Sequence, residues 1–267
     1  VTFDNLGEAA DLERGLWPED KPLGNHFSVR RALPRILDLL DELNLQATFF
    51  VEGLNATLYP EELRGIAGRG HELGYHGWRH EYWAGLSPDE ESRLLEQGVH
   101  EMGELGINMH GFRPPGGRLN PATPSLLERL GFTYCSPAGK GAGKLGGIVA
   151  LPFEWYLIDA YHYLPRFAGL RRSRTGTDSP LPPPALLRTL EEALQHLTRN
   201  GGYLALIFHP FLTAEEDRFG LLARILSKIK ELSDDGALWC APGREVAGWI
   251  LSHPETRQPP HLDSTDT

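Results

Sequence analysis

The chain has 267 residues, 40% of them apolar, and carries 26 basic against 36 acidic side chains, a formal net charge of −10. The apolar share supplies a core and excludes wholesale disorder, and the length suits one α/β domain. The acidic balance, broken only by the short basic stretch 170–174 (LRRSR), disfavours a nucleic-acid or anionic-membrane partner, whose phosphates need clustered Lys and Arg.

No run of about 18 apolar residues is present to span a bilayer, and no signal peptide is visible. A cytoplasmic location is the expectation. An upstream segment stays open, because the chain starts at Val1 without an initiator Met. Cys135 and Cys240 sit in apolar runs and read as buried thiols, although spacing alone does not exclude one bridge.

In chain order, VTFDN (1–5) is a short β-rich run, followed by a long polar Gly/Pro stretch, LGEAADLERGLWPEDKPLGN. Long loops in small domains are often functional. The segment 28–44 then places Val29, Leu33, Ile36, Leu37 and Leu40 on one helical face. QATFFVEG (46–53) is a strand, 59–70 a helix ending at glycine, and HELGYH (71–76) a strand. A helix opens at Ser87 as N-cap with Pro88 in its first turn. HGFRPPGG (110–117) is a strand entering a rigid turn. A helix at 123–132 precedes strands FTYCSP and GIVALPF. A helix over 182–202, the apolar strand YLALIFHP (203–210), a helix over 215–236, a strand ALWCA (237–241) and a helix over 242–251 complete the series. QPPHLDSTDT (258–267) reads as a loose tail. Strands alternate with helices, and several are apolar on both faces. The expectation is a parallel α/β sheet or barrel formed by residues 1–250 as a single domain, with 251–267 as a tail.

Chemistry-bearing residues collect at the C-terminal ends of the strand candidates, the edge where parallel α/β folds build sites. Asp4 ends the first strand. His76 and His80, in HGWRH, are four apart; one helical turn after the strand would aim both imidazoles at one divalent ion. Arg113 precedes two prolines and could orient a carboxylate. His209 closes a buried strand and suits general acid or base work. Each also has a plain structural reading: a turn carboxylate, core histidines, a surface ion pair.

Their order is more informative. TFDN, HGWRH, FRPPGG and FHP, together with ATFFVEG, GHELGYH and APGREVAGW, resemble the motif series of the polysaccharide deacetylases, the NodB-homology fold of carbohydrate esterase family 4. The resemblance covers about residues 1–250. It implies a distorted (β/α) barrel of mostly parallel strands and metal-assisted hydrolysis of an acyl group. By resemblance, Asp4 is the general base, Arg113 positions it, and His209 protonates the departing amine. His76, His80 and Asn5 hold a divalent metal, Zn²⁺ first, with Co²⁺, Ni²⁺ or Fe²⁺ alternatives. Trp155 and Trp78 contact substrate, and Asp159 tunes His209. The partner implied is an N-acylated saccharide or another small amide, and homo-oligomers are common in the group.

Two positions depart from the family pattern. Asn5 stands where an anionic Asp ligand is usual, so Glu8 or Asp11 in the following loop could supply the missing charge, or the site could work metal-free. Gly77 stands where Ser or Thr is common, and HGWR is instead similar to the metal-independent allantoinase branch. The alternatives to a metal-dependent deacetylase are therefore an allantoinase-like hydrolase of a small ureide and an inactive carbohydrate-binding homologue. The joint retention of Asp4, Arg113 and His209 argues against the last.

Overall fold

The computed structural model describes residues 1–263. Its strands are β1 (Thr2–Asp4), β2 (Thr48–Val51), β3 (Glu72–Tyr75), β4 (Gly111–Phe112), β5 (Tyr134–Cys135), β6 (Gly139–Lys140), β7 (Gly143–Leu145), β8 (Ile148–Ala150), β9 (Ile207–Phe208) and β10 (His261–Leu262). Among the described residues one eight-stranded sheet runs in the order β7-β8-β5-β4-β3-β2-β1-β9. Every pairing in it is parallel except the β7–β8 hairpin.

β1 and β2 are buried along their whole length because both faces are covered. Phe3 stacks on Phe49 with ring centroids 4.8 Å apart. The helix Leu33–Glu42 buries Leu33, Ile36, Leu37 and Leu40, as the 3.6-residue spacing requires. The helix Pro88–Glu104 starts at Ser87 with a capping box closed by Glu90.

The sheet curls into a half-barrel rather than a closed one. Its edges are β7 and β9, and the segment from Phe153 to Ile158 bridges the gap at the site end, with Phe153 paired to Ala138 and Ile158 to Ile207. The helix Gly243–Ser252 packs at the opposite end. Its N-terminal amides donate to side chains at the strand starts: Gly243 N–H to Thr48 Oγ1 at 2.9 Å and Arg244 N–H to Glu72 Oε2 at 3.0 Å. A carboxylate at a helix N-terminus is favourably placed.

Two expectations need correction. ALWCA is not a strand; residues 237–241 follow the turn at Gly236 without joining the sheet, and Trp239 is exposed. The described part of QPPHLDSTDT is not loose. Gln258 N–H donates to Ala142 O, β10 pairs antiparallel with β6, and Asp263 N–H donates to Ala138 O. The consecutive prolines at 259 and 260 keep this segment extended, and the β6 edge offers free backbone groups to pair with. Residues 264–267 of the expected tail lie outside the described residues. Cys135 and Cys240 are free thiols, and burial pushes Cys135 up to about 12.

Candidate active site

Strand register assembles the site. Phe3 is paired with Phe208, so the next residues, Asp4 and His209, fall side by side at the rim. Tyr75 is paired with Phe112, which puts His76 beside Arg113, and Phe112 is paired with Cys135, which puts Arg113 beside Ser136. These five residues, far apart in sequence, thus meet at the C-terminal edge of the sheet.

Arg113 is 1% exposed, and its donors are used. Nη1 donates to Asp4 Oδ1 at 2.6 Å and to Thr2 Oγ1 at 2.8 Å, and Nη2 donates to Ser136 Oγ at 2.9 Å. The guanidinium lies 4.1 Å over the Phe50 ring. A buried carboxylate needs such a partner to stay charged, and the arrangement leaves Asp4 Oδ2 directed at the cavity, 4.0 Å from His76 Nε2.

His76 Nδ1 lies 2.8 Å from Arg113 O. A carbonyl only accepts, so Nδ1 carries the proton and Nε2 presents a lone pair. Burial lowers the pKa of His76 to about 4, so the ring is neutral near pH 7. His80 is held well below its ordinary value by burial, with His76 and Arg14 adding to the effect. The two rings meet edge to face, centroids 4.9 Å apart.

The expected helical turn between these histidines is absent. Residues 77–79 bend, and His80 has φ +72°. Asn5 has φ +61°, and its buried Oδ1 has no hydrogen-bond partner. Among the described residues Asn44 is the other non-glycine with positive φ, and it follows a helix, where that conformation is routine. At Asn5 and His80 the strained backbone instead turns side chains into one pocket. Gly77, with φ +77°, explains its own departure from Ser or Thr: a Cβ there would stand 2.8 Å from Glu81 Oε2 and 3.1 Å from Pro115 Cγ.

His209 is fixed by Asp159. Asp159 Oδ2 accepts the His209 backbone N–H at 2.8 Å, and Oδ1 accepts Nδ1–H at 2.6 Å. That geometry leaves Nε2 for a substrate. Asp159 opens the helix Asp159–Tyr163 and is 1% exposed.

These groups line a cavity of about 260 Å³ with Trp155 and Phe167 in its wall. The volume sits just under the ~300–1,000 Å³ usual for small-molecule sites, room for one sugar-sized unit. Trp155 holds its place by edge-to-face packing on Phe153, centroids 5.2 Å apart.

The structure brings together Asp4, Asn5, His76, His80, Arg113, His209, Asp159 and Trp155. It separates Trp78, which does not line the cavity; its ring covers Gly53, where the lack of a side chain leaves space for it. Glu8 is no substitute ligand. It is fully buried, with Oε1 accepting Gly24 N–H at 2.6 Å and Oε2 accepting Tyr59 Oη–H, so it tethers the loop instead. Asp11 does not line the cavity either. The ligands on offer are two neutral imidazoles and the Asn5 amide oxygen. Among the described residues no cluster of three His, Cys, Asp or Glu could hold a metal.

Sequence reasoning missed Arg14 and Arg166, which line the cavity from the segment after the helix Ala9–Glu13 and from the turn Pro165–Phe167. The length of the first loop was a signal for Arg14. Nothing in YLPRFAG distinguishes Arg166. Ser136, which completes the Arg113 shell together with Thr2 of the TFDN motif, carries no motif of its own.

Comparison with known proteins agrees with this fold. The sequence matches the polysaccharide deacetylase family over residues 19–135. It is 34% identical over 96 residues to chitin deacetylase 1 of Saccharomyces cerevisiae, covering 36% of this chain and 32% of that one. It is 30% identical over 125 residues to the peptidoglycan deacetylase of Helicobacter pylori, covering 46% and 39%. The matches thus span about a third of these relatives' own lengths. A solved structure from Mycobacterium smegmatis, assigned as a polysaccharide deacetylase, superposes over 100% of this chain and 93% of its own with a TM-score of 0.83 at 29% identity. An allantoinase structure shares the fold, with a TM-score of 0.69 at 20% identity over 85% of this chain and 75% of its own. Residues 19–135, which include His76, His80 and Arg113, thus match the polysaccharide deacetylase family, and the whole chain shares its half-barrel fold with the structure from Mycobacterium smegmatis.

Proposed function

We propose that the protein hydrolyses the N-acyl group of an N-acetylated sugar. The observation that carries this reading is the pairing at the rim of a carboxylate held by Arg113 with an imidazole held by Asp159, both facing one cavity. Asp4 Oδ2 takes a proton from the attacking water. Arg113 pairs with Asp4 and aims it. His209, as imidazolium paired with Asp159, donates from Nε2 to the amine nitrogen as the C–N bond breaks, so one proton enters as another leaves. Trp155 and Phe167 shield the acyl group from bulk water.

The residues present fit a divalent ion as a neutral set. His76 and His80 are kept unprotonated by burial, and the partnerless Asn5 Oδ1 is a ready oxygen donor. Zn²⁺, Co²⁺, Ni²⁺ or Fe²⁺ suits such ligands, and when bound the ion would polarise the acyl carbonyl and acidify water. One fewer negative charge than an Asp-containing set predicts weaker retention. Asn5→Asp is expected to tighten metal binding in a titration read by metal content.

One observation favours a second reading, a metal-independent hydrolase of a small ureide. Arg14 Nη2 lies 3.4 Å from His80 Nδ1, so a cation already faces one of the candidate ligands. A substrate panel separates the two. Acetate release from N-acetylglucosamine oligomers supports the first reading. Ring opening of a cyclic ureide without acetate release from any sugar overturns it in favour of the second.

A further inference from the structure

Arg14 and Arg166 line the catalytic cavity, and both are exposed at its mouth. Among the described residues neither has a carboxylate within ion-pair distance. Among the described residues the one hydrogen bond of the Arg14 side chain is the long contact to His80 Nδ1, and Arg166 lies 5.2 Å over the Phe167 ring. The two cations are close enough to feel each other: burial, then Arg14, lower Arg166 to about 10, and Asp11 opposes the shift. The chain has ten more acidic than basic side chains (36 against 26), yet none of these acids neutralises this pair.

Two like charges at a partly desolvated rim are unfavourable unless an anion joins them. Their elements lie on opposite sides of the chain's order, one in the long first loop and one after Asp159, so no local fold requirement explains both. Guanidinium groups recognise carboxylates through paired N–H donors. We propose that Arg14 and Arg166 form a carboxylate subsite, so that the preferred substrate is an acidic N-acylated sugar. This rests on the deacetylase reading and names its substrate class. It also gives Arg14 a task other than capping His80, since a substrate carboxylate would draw it away from that ring.

The test measures binding and turnover separately. Calorimetry compares N-acetylglucosamine with two acidic analogues, one carrying a carboxylate at C6 and one carrying it through an ether at C3. Wild type is expected to bind at least one acid about tenfold more tightly than the neutral sugar, the scale of a charged hydrogen-bonded contact. The preference should shrink with added salt and vanish in the Arg14→Gln/Arg166→Gln double variant, whose fold is checked by circular dichroism. Absence of a preference for either acid on wild type, or a preference that survives the double variant, overturns the subsite. Acetate release from the neutral sugar without any acid preference defeats this inference alone. An acid preference without acetate release from any sugar defeats the deacetylase reading and leaves the subsite standing.

Discussion

Replacing Asp159 by Asn tests the acid half of the mechanism. In the structure its two oxygens accept three N–H groups: the His209 backbone, His209 Nδ1 and the Ala160 backbone. An amide keeps one acceptor oxygen and turns an NH₂ toward at least one of these donors. If the oxygen faces Nδ1–H, the backbone N–H of His209 meets a donor. If the amide flips, the imidazole is forced to place its proton on Nε2 and can no longer be stabilised as the cation. Either way the buried charge pair that supports the imidazolium is lost, about 3–5 kcal/mol in the transition state. That corresponds to a kcat about 10²–10⁴-fold lower, while KM should change little because Asp159 does not touch substrate. The assay is acetate release across pH, with circular dichroism as the check on folding. The alkaline limb of the wild-type profile, where the general acid loses its proton, should also move in the variant. A folded Asp159→Asn protein with kcat within tenfold of wild type and an unmoved profile would refute the role given to this pair.

Further outcomes follow from the same geometry. Arg113→Gln leaves Asp4 buried without its cation and should destabilise the fold by about 3–5 kcal/mol, read by urea denaturation, with activity lost even where the variant folds. Gly77→Ser puts a side chain at φ +77° and within 2.8 Å of Glu81 Oε2, and should cost about 1–3 kcal/mol of stability. Glu52 is fully buried, with Oε1 unpartnered and its pKa pushed up to about 8 by burial. The folded state therefore holds a proton that the unfolded chain releases above about pH 4.5, and wild-type stability falls as pH rises from about 4.5 to about 8. Glu52→Gln should remove that slope and be more stable at pH 7 by up to about 3 kcal/mol; equal stability of the two proteins at pH 5 and pH 8 would contradict the assignment.

Much of this was legible because strand ends carry both the fold and the site. The apolar runs at Phe3, Phe49 and Phe208 mark parallel strands buried on both faces, and the polar residue that ends each run falls at the same rim. Asp4, His76, Arg113 and His209 are therefore readable one strand at a time. Asp159 was reachable only through the family likeness, since its partner lies 50 positions away. The His76–His80 spacing suggested a helical turn, but a positive φ at His80 reaches the same convergence by another route, and periodicity cannot express that. Trp78 and Glu8 were misplaced because burial decides their direction. One fills the space over Gly53 and the other satisfies the buried Tyr59 hydroxyl. Arg14 and Arg166 come from irregular segments, where neither period nor motif predicts which side chains face inward.

The central claim is that Asp4 activates water against an N-acetyl group in this cavity. The most direct measurement is the rate of acetate release from an N-acetylglucosamine oligomer, with the free amine counted in parallel, for wild type and Asp4→Asn at equal metal content. The account predicts one amine for each acetate with wild type, and a kcat lower by about 10² or more in Asp4→Asn with metal content unchanged. Equal rates in the two proteins, or a variant whose loss of activity tracks loss of metal, would contradict it.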